Sequence, residues 1–109
     1  MTKKGALIPL QLNDAAALRI IRAVAKESER VFFSEHAVQR MKQRHITRVQ
    51  VLECLRRGTI SEPTHQDVHG NWKCNVSWAH AGDQITVAVG IKKDEKTGEF
   101  LIVITVLGG

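Results

Sequence analysis

The sequence predicts an α+β domain in which three N-terminal helices pack on a three- to four-stranded antiparallel sheet. Two observations predict this class. Up to Gly58, apolar residues recur at the three- and four-residue spacing of amphipathic helices. From Trp72 onwards they alternate with polar residues, as they do in half-buried strands. The 109 residues are enough for one hydrophobic core, so we expect a single domain over residues 1–109.

The N-terminal part is predicted to contain a loosely ordered segment, residues 1–12, followed by the first helix. Asn13 is a preferred N-cap residue, and the helix is expected to run to about Glu29. The apolar run over residues 6–12 is interrupted and too short to cross a bilayer. We therefore expect a cytoplasmic protein with no membrane partner.

The stretch over residues 33–58 predicts two consecutive helices that carry most of the excess positive charge. Ser34 is placed to cap the first of them. Thr47 and Gln50 have the spacing of a capping box that opens the second helix, and Gly58 is placed to end it.

The C-terminal half predicts the sheet. A short strand is expected over residues 59–62, and Pro63 would confine it to an edge or a strand end. Alternating segments over residues 72–78 and 85–91 predict two further strands. Both faces of the last predicted strand, residues 100–107, are mainly apolar, so we expect it to be central or covered on both sides. Since one helical layer covers one face, either the first helix wraps around the sheet or a homodimer or bound partner covers the other.

Positive charge is concentrated in the central helices. Residues 30–57 contain seven Lys or Arg and two acidic residues, a surplus that equals the net charge of +5 of the whole chain. A basic patch of this kind suits RNA or DNA, or an acidic protein partner. A solvated helix surface without a partner is the alternative.

The spacing of His36, Arg40 and Arg44 predicts one row along a helix, beside an apolar row formed by Ala37 and Met41. The apolar row is expected to face the core, which leaves the cationic row at its border. Arginine forks grip phosphate oxygens in two-point contacts. The candidate nucleic-acid-binding residues are Arg40, Arg44, Arg48, Arg56 and Arg57.

The same row could support RNA cleavage without a metal. This chemistry needs a base for the 2′-hydroxyl proton, cations that stabilise the charged phosphorane, and an acid for the leaving 5′-oxygen. The candidate catalytic residues are His36, Arg40, Arg44 and Lys73, the last from the polar face of its strand. In the alternative interpretation, His36 hydrogen-bonds the sheet or a loop, and the arginines pair with Glu35 or Glu62.

Histidine and cysteine spacing favours neither a metal nor a cofactor. Cys54 and Cys74 form no short-spaced motif and are expected to be reduced packing residues. His65 and His69 straddle a turn, so exposed loop histidines are favoured over a zinc site with Cys74. We predict no metal and no cofactor.

Seven positions of the central helices form a pattern that consists of His36, Ala37, Arg40, Met41, Arg44, Ile46 and Thr47. This pattern resembles the bacterial domain-of-unknown-function 4258 family, and the similarity extends loosely over the last three quarters of the chain. His45 stands where family members more often have Gly. Histidine is among the residues that enter left-handed conformations, so we expect it to serve at the helix junction.

The resemblance implies a compact helix-plus-sheet domain similar to the small RelE and BrnT ribonuclease toxins. A protein of that kind would be a small RNA-directed, metal-independent ribonuclease with an antitoxin-like partner. The alternative is a non-catalytic nucleic-acid-binding or protein-interaction module that uses the same basic helices.

Overall fold

The computed structural model describes residues 12–108 and contains three helices and a five-stranded sheet. In chain order the elements are α1 (Asp14–Ala25), β1 (Val31–Phe33), α2 (Glu35–Arg44), α3 (Arg48–Arg57), β2 (Thr59–Gln66), β3 (Trp72–His80), β4 (Asp83–Asp94) and β5 (Gly98–Gly108). A single 3-10 turn, Ser28–Arg30, precedes β1. The predicted α+β class is confirmed.

The sheet differs from the predicted one in strand number and direction. Its strand order is β1-β5-β4-β3-β2, and β1 runs parallel to β5 whereas all other neighbours are antiparallel. The prediction of three or four antiparallel strands was therefore wrong. The missed strand, β1, has three residues, which is too short to show an alternating pattern. Because β1 lies between α1 and α2, the helices are interleaved with the sheet.

Two element boundaries also differ from the predicted ones. α1 ends at Ala25 rather than near Glu29, because Ser28–Arg30 form a separate 3-10 turn and do not continue the α-helix. β2 continues to Gln66 through two irregularities in its pairing with β3. Pro63 lies within β2, which is an edge strand, as the sequence predicts.

One hydrophobic core lies between the helices and one face of the sheet. Its fully buried large side chains include Ile21, Val51, Leu55, Val76, Val87, Val89, Leu101, Val103 and Val106. Leu12 packs against this core, whereas residues 1–11, which were expected to be loosely ordered, lie outside the described residues. No helix between residues 12 and 108 is long and apolar enough to span a membrane.

β5 is central, as predicted, and lies between β1 and β4. Val103 faces the helices, and a bulge at Ile104 then shifts the alternation by one residue, so that Val106 is buried on the same face. Strict alternation would have put Val106 on the opposite face. There, Phe100 is half-buried and packs edge-to-face with Phe32, which is 53% exposed. The expected cover of this second face by another chain stays a prediction.

The helix ends are formed by the residues that the sequence predicts. The side chains of Asn13 and Ser34 each accept a hydrogen bond from the backbone N–H three residues later, at 2.8 and 3.0 Å. Thr47 and Gln50 form both hydrogen bonds of a capping box. His45 closes α2 in the left-handed conformation, with φ 55° and ψ 43°.

The outer edge of β2 is tied to the start of α1. Oδ1 of Asp14 accepts a hydrogen bond from the backbone N–H of Thr64 at 2.8 Å, and this bond holds the pKa of Asp14 below its usual value. The preceding residue, Pro63, has no N–H to donate. Neither Pro63 nor Thr64 therefore has a backbone N–H that is free to donate a hydrogen bond.

α3 ends at Gly58, as predicted, but the reason is a close approach rather than a left-handed turn. The φ angle of Gly58 is −76°, which other residues also adopt. A Cβ atom here would lie 2.5 Å from the carbonyl oxygen of Ser77 and 2.8 Å from Cγ1 of Val76. The contact between the end of α3 and β3 therefore requires a residue without a side chain.

Gly58→Ala is expected to lower the free energy of unfolding by about 1–3 kcal/mol, the usual cost of forcing a methylene-sized group into a packed site. Gly90→Ala is the matched control, because the nearest neighbour of a Cβ at Gly90 would be 3.7 Å away. Urea unfolding of both variants measures the difference. Equal stability of the two would contradict the importance of this close approach.

Candidate functional site

The cationic row, defined as His36, Arg40 and Arg44, lies along α2. Ala37 and Met41 of the same helix are buried in the core, as the sequence predicts, and this orientation turns the cationic row towards the border of the buried face. His36 and Arg44 are exposed, and Arg40 is half-buried. At a rise of 1.5 Å per residue, the row spans about 12 Å of helix.

The arginines of the cationic row have no acidic partner in the part of the chain that the structure describes. The ion pairs within residues 12–108 involve Arg30, Arg56, Arg57 and Lys73. The alternative in which Arg40 and Arg44 pair with Glu35 or Glu62 is not observed. No carboxylate between residues 12 and 108 therefore neutralises the guanidinium groups of Arg40 and Arg44.

Arg48 continues this basic surface at the first residue of α3. Its guanidinium carbon lies 4.3 Å from the centroid of the Phe33 ring, at the end of β1. This cation–π contact holds the planar group in place and leaves Arg48 exposed. Arg48 therefore adds a further exposed guanidinium group to the basic surface.

Arg56 and Arg57, which the sequence also suggested for nucleic-acid binding, have structural partners. Nε of Arg56 donates a hydrogen bond to the carbonyl oxygen of Ala25 at 2.8 Å, which joins the ends of α1 and α3. Both arginines pair with Glu53, at 3.3 and 2.9 Å. Their charge is therefore partly neutralised, and any contribution to nucleic-acid binding should be smaller than that of the cationic row.

Lys73 lies away from the cationic row. It occupies the face of β3 opposite to Val76, whose side chain packs under the helices. Nζ of Lys73 pairs with Asp67 at 3.0 Å. Asp67 also accepts hydrogen bonds from the backbone N–H groups of His69 and Asn71, each at 2.9 Å. Lys73 therefore belongs to the β2–β3 hairpin, and the structure does not bring it to His36.

Asp67→Asn is expected to reduce the loss of stability below about pH 4. The hydrogen bond from the Asn71 N–H, followed by the bond to Lys73, holds the pKa of Asp67 well below its usual range. A carboxyl whose pKa is lower in the folded state adds stability above its unfolded pKa of about 3.9, and this contribution disappears as the pH falls through the folded pKa.

Thermal unfolding of the parent protein and the Asp67→Asn variant at pH 7 and near pH 2.5 measures this effect. Glu95→Gln, at an exposed position of the β4–β5 turn, is the control for the loss of one carboxylate from a turn. If Asp67→Asn kept the pH dependence of the parent protein, the lowered pKa of Asp67 would make no contribution to stability.

A polar cleft of about 380 Å³ adjoins the end of the cationic row, and we call it the junction cleft. It is lined by Arg44, His45, Ile46, Gln50, Gly82, Asp83, Gln84, Ile85 and Gly108. The aliphatic stem of Arg44 lies against Gly108 at the end of β5. The cleft thus brings the α2–α3 junction together with the ends of two strands.

Sequence reasoning did not identify His45, Gln50 and Asp83 as residues of one cleft. Gln50 was interpreted as half of a capping box, and His45 as a helix terminator; both descriptions are correct but incomplete. One signal was available at His45, where the resemblance described above leads us to expect glycine. Asp83 carried no such signal, because its place in the cleft depends on how β4 packs beside α3.

Neither cysteine is suited to nucleophilic chemistry. Cys54 and Cys74 are free and buried, as expected for packing residues. Burial raises the pKa of Cys54 to about 12 and that of Cys74 to about 11, so both are protonated thiols near neutral pH. Among residues 12–108, no three His, Cys, Asp or Glu side chains are arranged to hold a metal ion.

Comparison with known proteins identifies the family. The chain matches the family described as Domain of unknown function (DUF4258) over residues 33–107, which is more than half of its length, and it belongs to this family. The match begins at the last residue of β1 and ends within β5. No curated protein and no solved structure matches the chain significantly.

Proposed function

We propose that this protein is RNA-directed and holds the phosphate backbone along the cationic row of α2. The observation that carries this proposal is that Arg40 and Arg44 have no carboxylate partner within the described residues, whereas the arginines that end α3 are paired. Planar guanidinium groups fit phosphate oxygens in two-point contacts. Because the row follows one helix, it offers a polyanion two guanidinium groups one helical turn apart.

The most specific form of this function is a metal-independent ribonuclease of the toxin kind. His36 would accept the 2′-hydroxyl proton, the 2′-oxygen would bond to phosphorus to form a cyclic phosphate, and the bond from phosphorus to the 5′-oxygen would break as that oxygen takes a proton from water. Arg40 and Arg44 would stabilise the charge that develops on the phosphorane. A toxin of this kind would act in the cytoplasm and would have an antitoxin-like protein partner.

A second candidate is a non-catalytic module that binds RNA or DNA through the same helices. The ion pair between Lys73 and Asp67 supports this candidate, because it gives Lys73 a partner other than a substrate. The row then holds one titratable group, His36, beside two permanent cations. Binding therefore rests on more observations than cleavage does.

Binding of single-stranded RNA is expected to weaken steeply with salt, because each neutralised phosphate releases condensed counterions. Arg44→Ala should reduce the slope of log K against log salt by about 0.7, the value for one phosphate contact on a single strand. Arg57→Ala is the matched control and should change the slope less, since Arg57 is paired with Glu53.

Fluorescence anisotropy of a labelled oligomer between about 50 and 200 mM salt measures these slopes. Equal changes for the two variants would show that the cationic row has no special part in binding. An affinity that does not depend on salt would point to a different class of partner.

His36→Ala is expected to slow RNA cleavage by roughly a hundredfold or more, the usual contribution of a positioned proton-transfer group. The fold should be retained, because His36 is exposed.

Arg40→Lys keeps the charge but loses the two-point grip, so it should slow cleavage more than it weakens binding. His69→Ala, in the exposed β2–β3 turn, is the control and should cleave at the parent rate.

Cleavage is measured on a labelled RNA in buffer that contains a chelator, and growth arrest is measured on induction in cells. A folded His36→Ala variant with full activity would rule out the assigned role. If the parent binds RNA but leaves it intact and does not affect growth, the non-catalytic module is the correct interpretation.

A further inference from the structure

A second hollow of about 270 Å³ adjoins the junction cleft. It lies between the N-terminal half of α3 and the β3–β4 hairpin, with Val49 and Glu53 on one side and Trp78 and His80 on the other. The two hollows share three lining residues, Gln50, Asp83 and Ile85. We call the combined feature the end groove, since it follows one end of the molecule from Arg44 to His80.

One side of the end groove is an aromatic platform. The rings of Trp78 and His80 are stacked, with centroids 5.0 Å apart and an angle of 12° between the ring planes. Trp78 is half-buried and packs against the core, which fixes the inner ring, whereas His80 is exposed. Flat side chains held in this way are surfaces on which unpaired nucleobases stack.

The backbone around the end groove is unusual on both sides. Within residues 12–108, the residues other than glycine with positive φ are His45, at 55°, and Ala81, at 52°. His45 lines the junction cleft, and Ala81 lines the second hollow. The left-handed conformation costs such residues about 1–2 kcal/mol each, and strain of this kind concentrates at binding and catalytic sites.

The strained turn also positions the platform. Ala81 and Gly82 form a two-residue connection in which both φ angles are positive, and His80 pairs with Asp83 across it. The imidazole of His80 and the carboxylate of Asp83 are therefore held next to each other at the tip of the hairpin. Side chains on a short, fully paired hairpin are placed more rigidly than those on a long loop.

The charges along the end groove differ from one end to the other. Arg44 supplies a guanidinium group at the α2 end and is also the last member of the cationic row. The amide of Gln50 and the carboxylate of Asp83 lie in the shared middle part. Glu53, beside the platform, is already paired with two arginines. The groove thus offers a cation for a phosphate, polar groups in the middle and a flat surface for a base.

We propose that the end groove binds one nucleotide of single-stranded RNA, with its base on the Trp78–His80 platform and its phosphate at Arg44. This inference rests on the proposed function and deepens it, because it identifies an unpaired strand as the ligand. A base in a duplex is covered on both faces by its neighbours and cannot reach the platform. The strand would continue from the end groove onto Arg40 and His36.

Fluorescence of Trp78 tests this placement directly. Trp72→Phe leaves Trp78 as the sole tryptophan, and a short single-stranded adenosine oligomer is added at low salt. Because Trp78 lies beneath His80 in the same stack, a base that stacks on His80 should quench the emission of Trp78 through the change in its surroundings, with the same midpoint that the anisotropy of an end-labelled oligomer gives. His80→Ala, in the otherwise natural chain, should weaken binding of the labelled oligomer roughly tenfold or more, the usual effect of removing one stacking side chain. His69→Ala is the control and should bind as the parent does.

The outcomes separate this proposal from the more general one. If the oligomer binds and Arg40→Ala weakens it, but Trp78 is not quenched and His80→Ala binds as the parent does, the end groove is not the site and the proposed function stands. A duplex of the same length that quenches Trp78 equally overturns base stacking. If neither RNA binds at low salt, both proposals are overturned.

Discussion

The hydrogen bonds of Ser34 connect the sheet to the helix that carries the cationic row. Its backbone N–H donates to the carbonyl oxygen of Val103 at 3.1 Å and extends the ladder between β1 and β5. Its hydroxyl donates to the carbonyl oxygen of Ile104 at 2.9 Å and accepts from the N–H of Ala37 at 3.0 Å. One residue therefore ends the parallel strand, contacts the bulge of β5 and caps α2. The position of the cationic row relative to the sheet depends on this junction.

The basic residues of the chain divide into two groups. Several arginines use their donors within the fold: Arg22 donates to the carbonyl oxygen of Gly58, Arg56 to that of Ala25, and Arg30 to those of Thr97 and Glu99. These bonds close the ends of helices and turns, where backbone oxygens would otherwise lack partners. Within residues 12–108, Arg40 and Arg44 of the cationic row make no such bond. The number of Lys and Arg residues in the sequence therefore overestimates the number of cations that are free to contact a polyanion.

Local features of the fold could be predicted from the sequence, because each depends on residues close together in the chain. The caps at Asn13, Ser34 and Thr47, and the left-handed residue at His45, belong to this class. β1 could not be predicted, because three residues become a strand only through a partner, β5, that lies about seventy positions later.

The candidate site shows the same division between local and distant information. Helical spacing was sufficient to place His36, Arg40 and Arg44 in one row. It could not show that Lys73 would pair with Asp67, because that pair depends on the register of the β2–β3 hairpin. Nor could it show that Trp78 and His80 would stack beside a cleft from another part of the chain. The bulge at Ile104 likewise moved Val106 into the core against the simple alternation of the strand.

The bond between Asp14 and Thr64 has a consequence for how copies of the protein can meet. An exposed edge strand normally offers a row of N–H groups to which a second sheet can add. In β2, the carboxylate of Asp14 takes the N–H of Thr64, and Pro63 beside it has no N–H to offer. Continuous strand addition along β2 is therefore blocked in its middle. The start of α1 therefore occupies part of the exposed edge of β2, and we expect a second copy of the chain to add a strand there less readily than at an open edge.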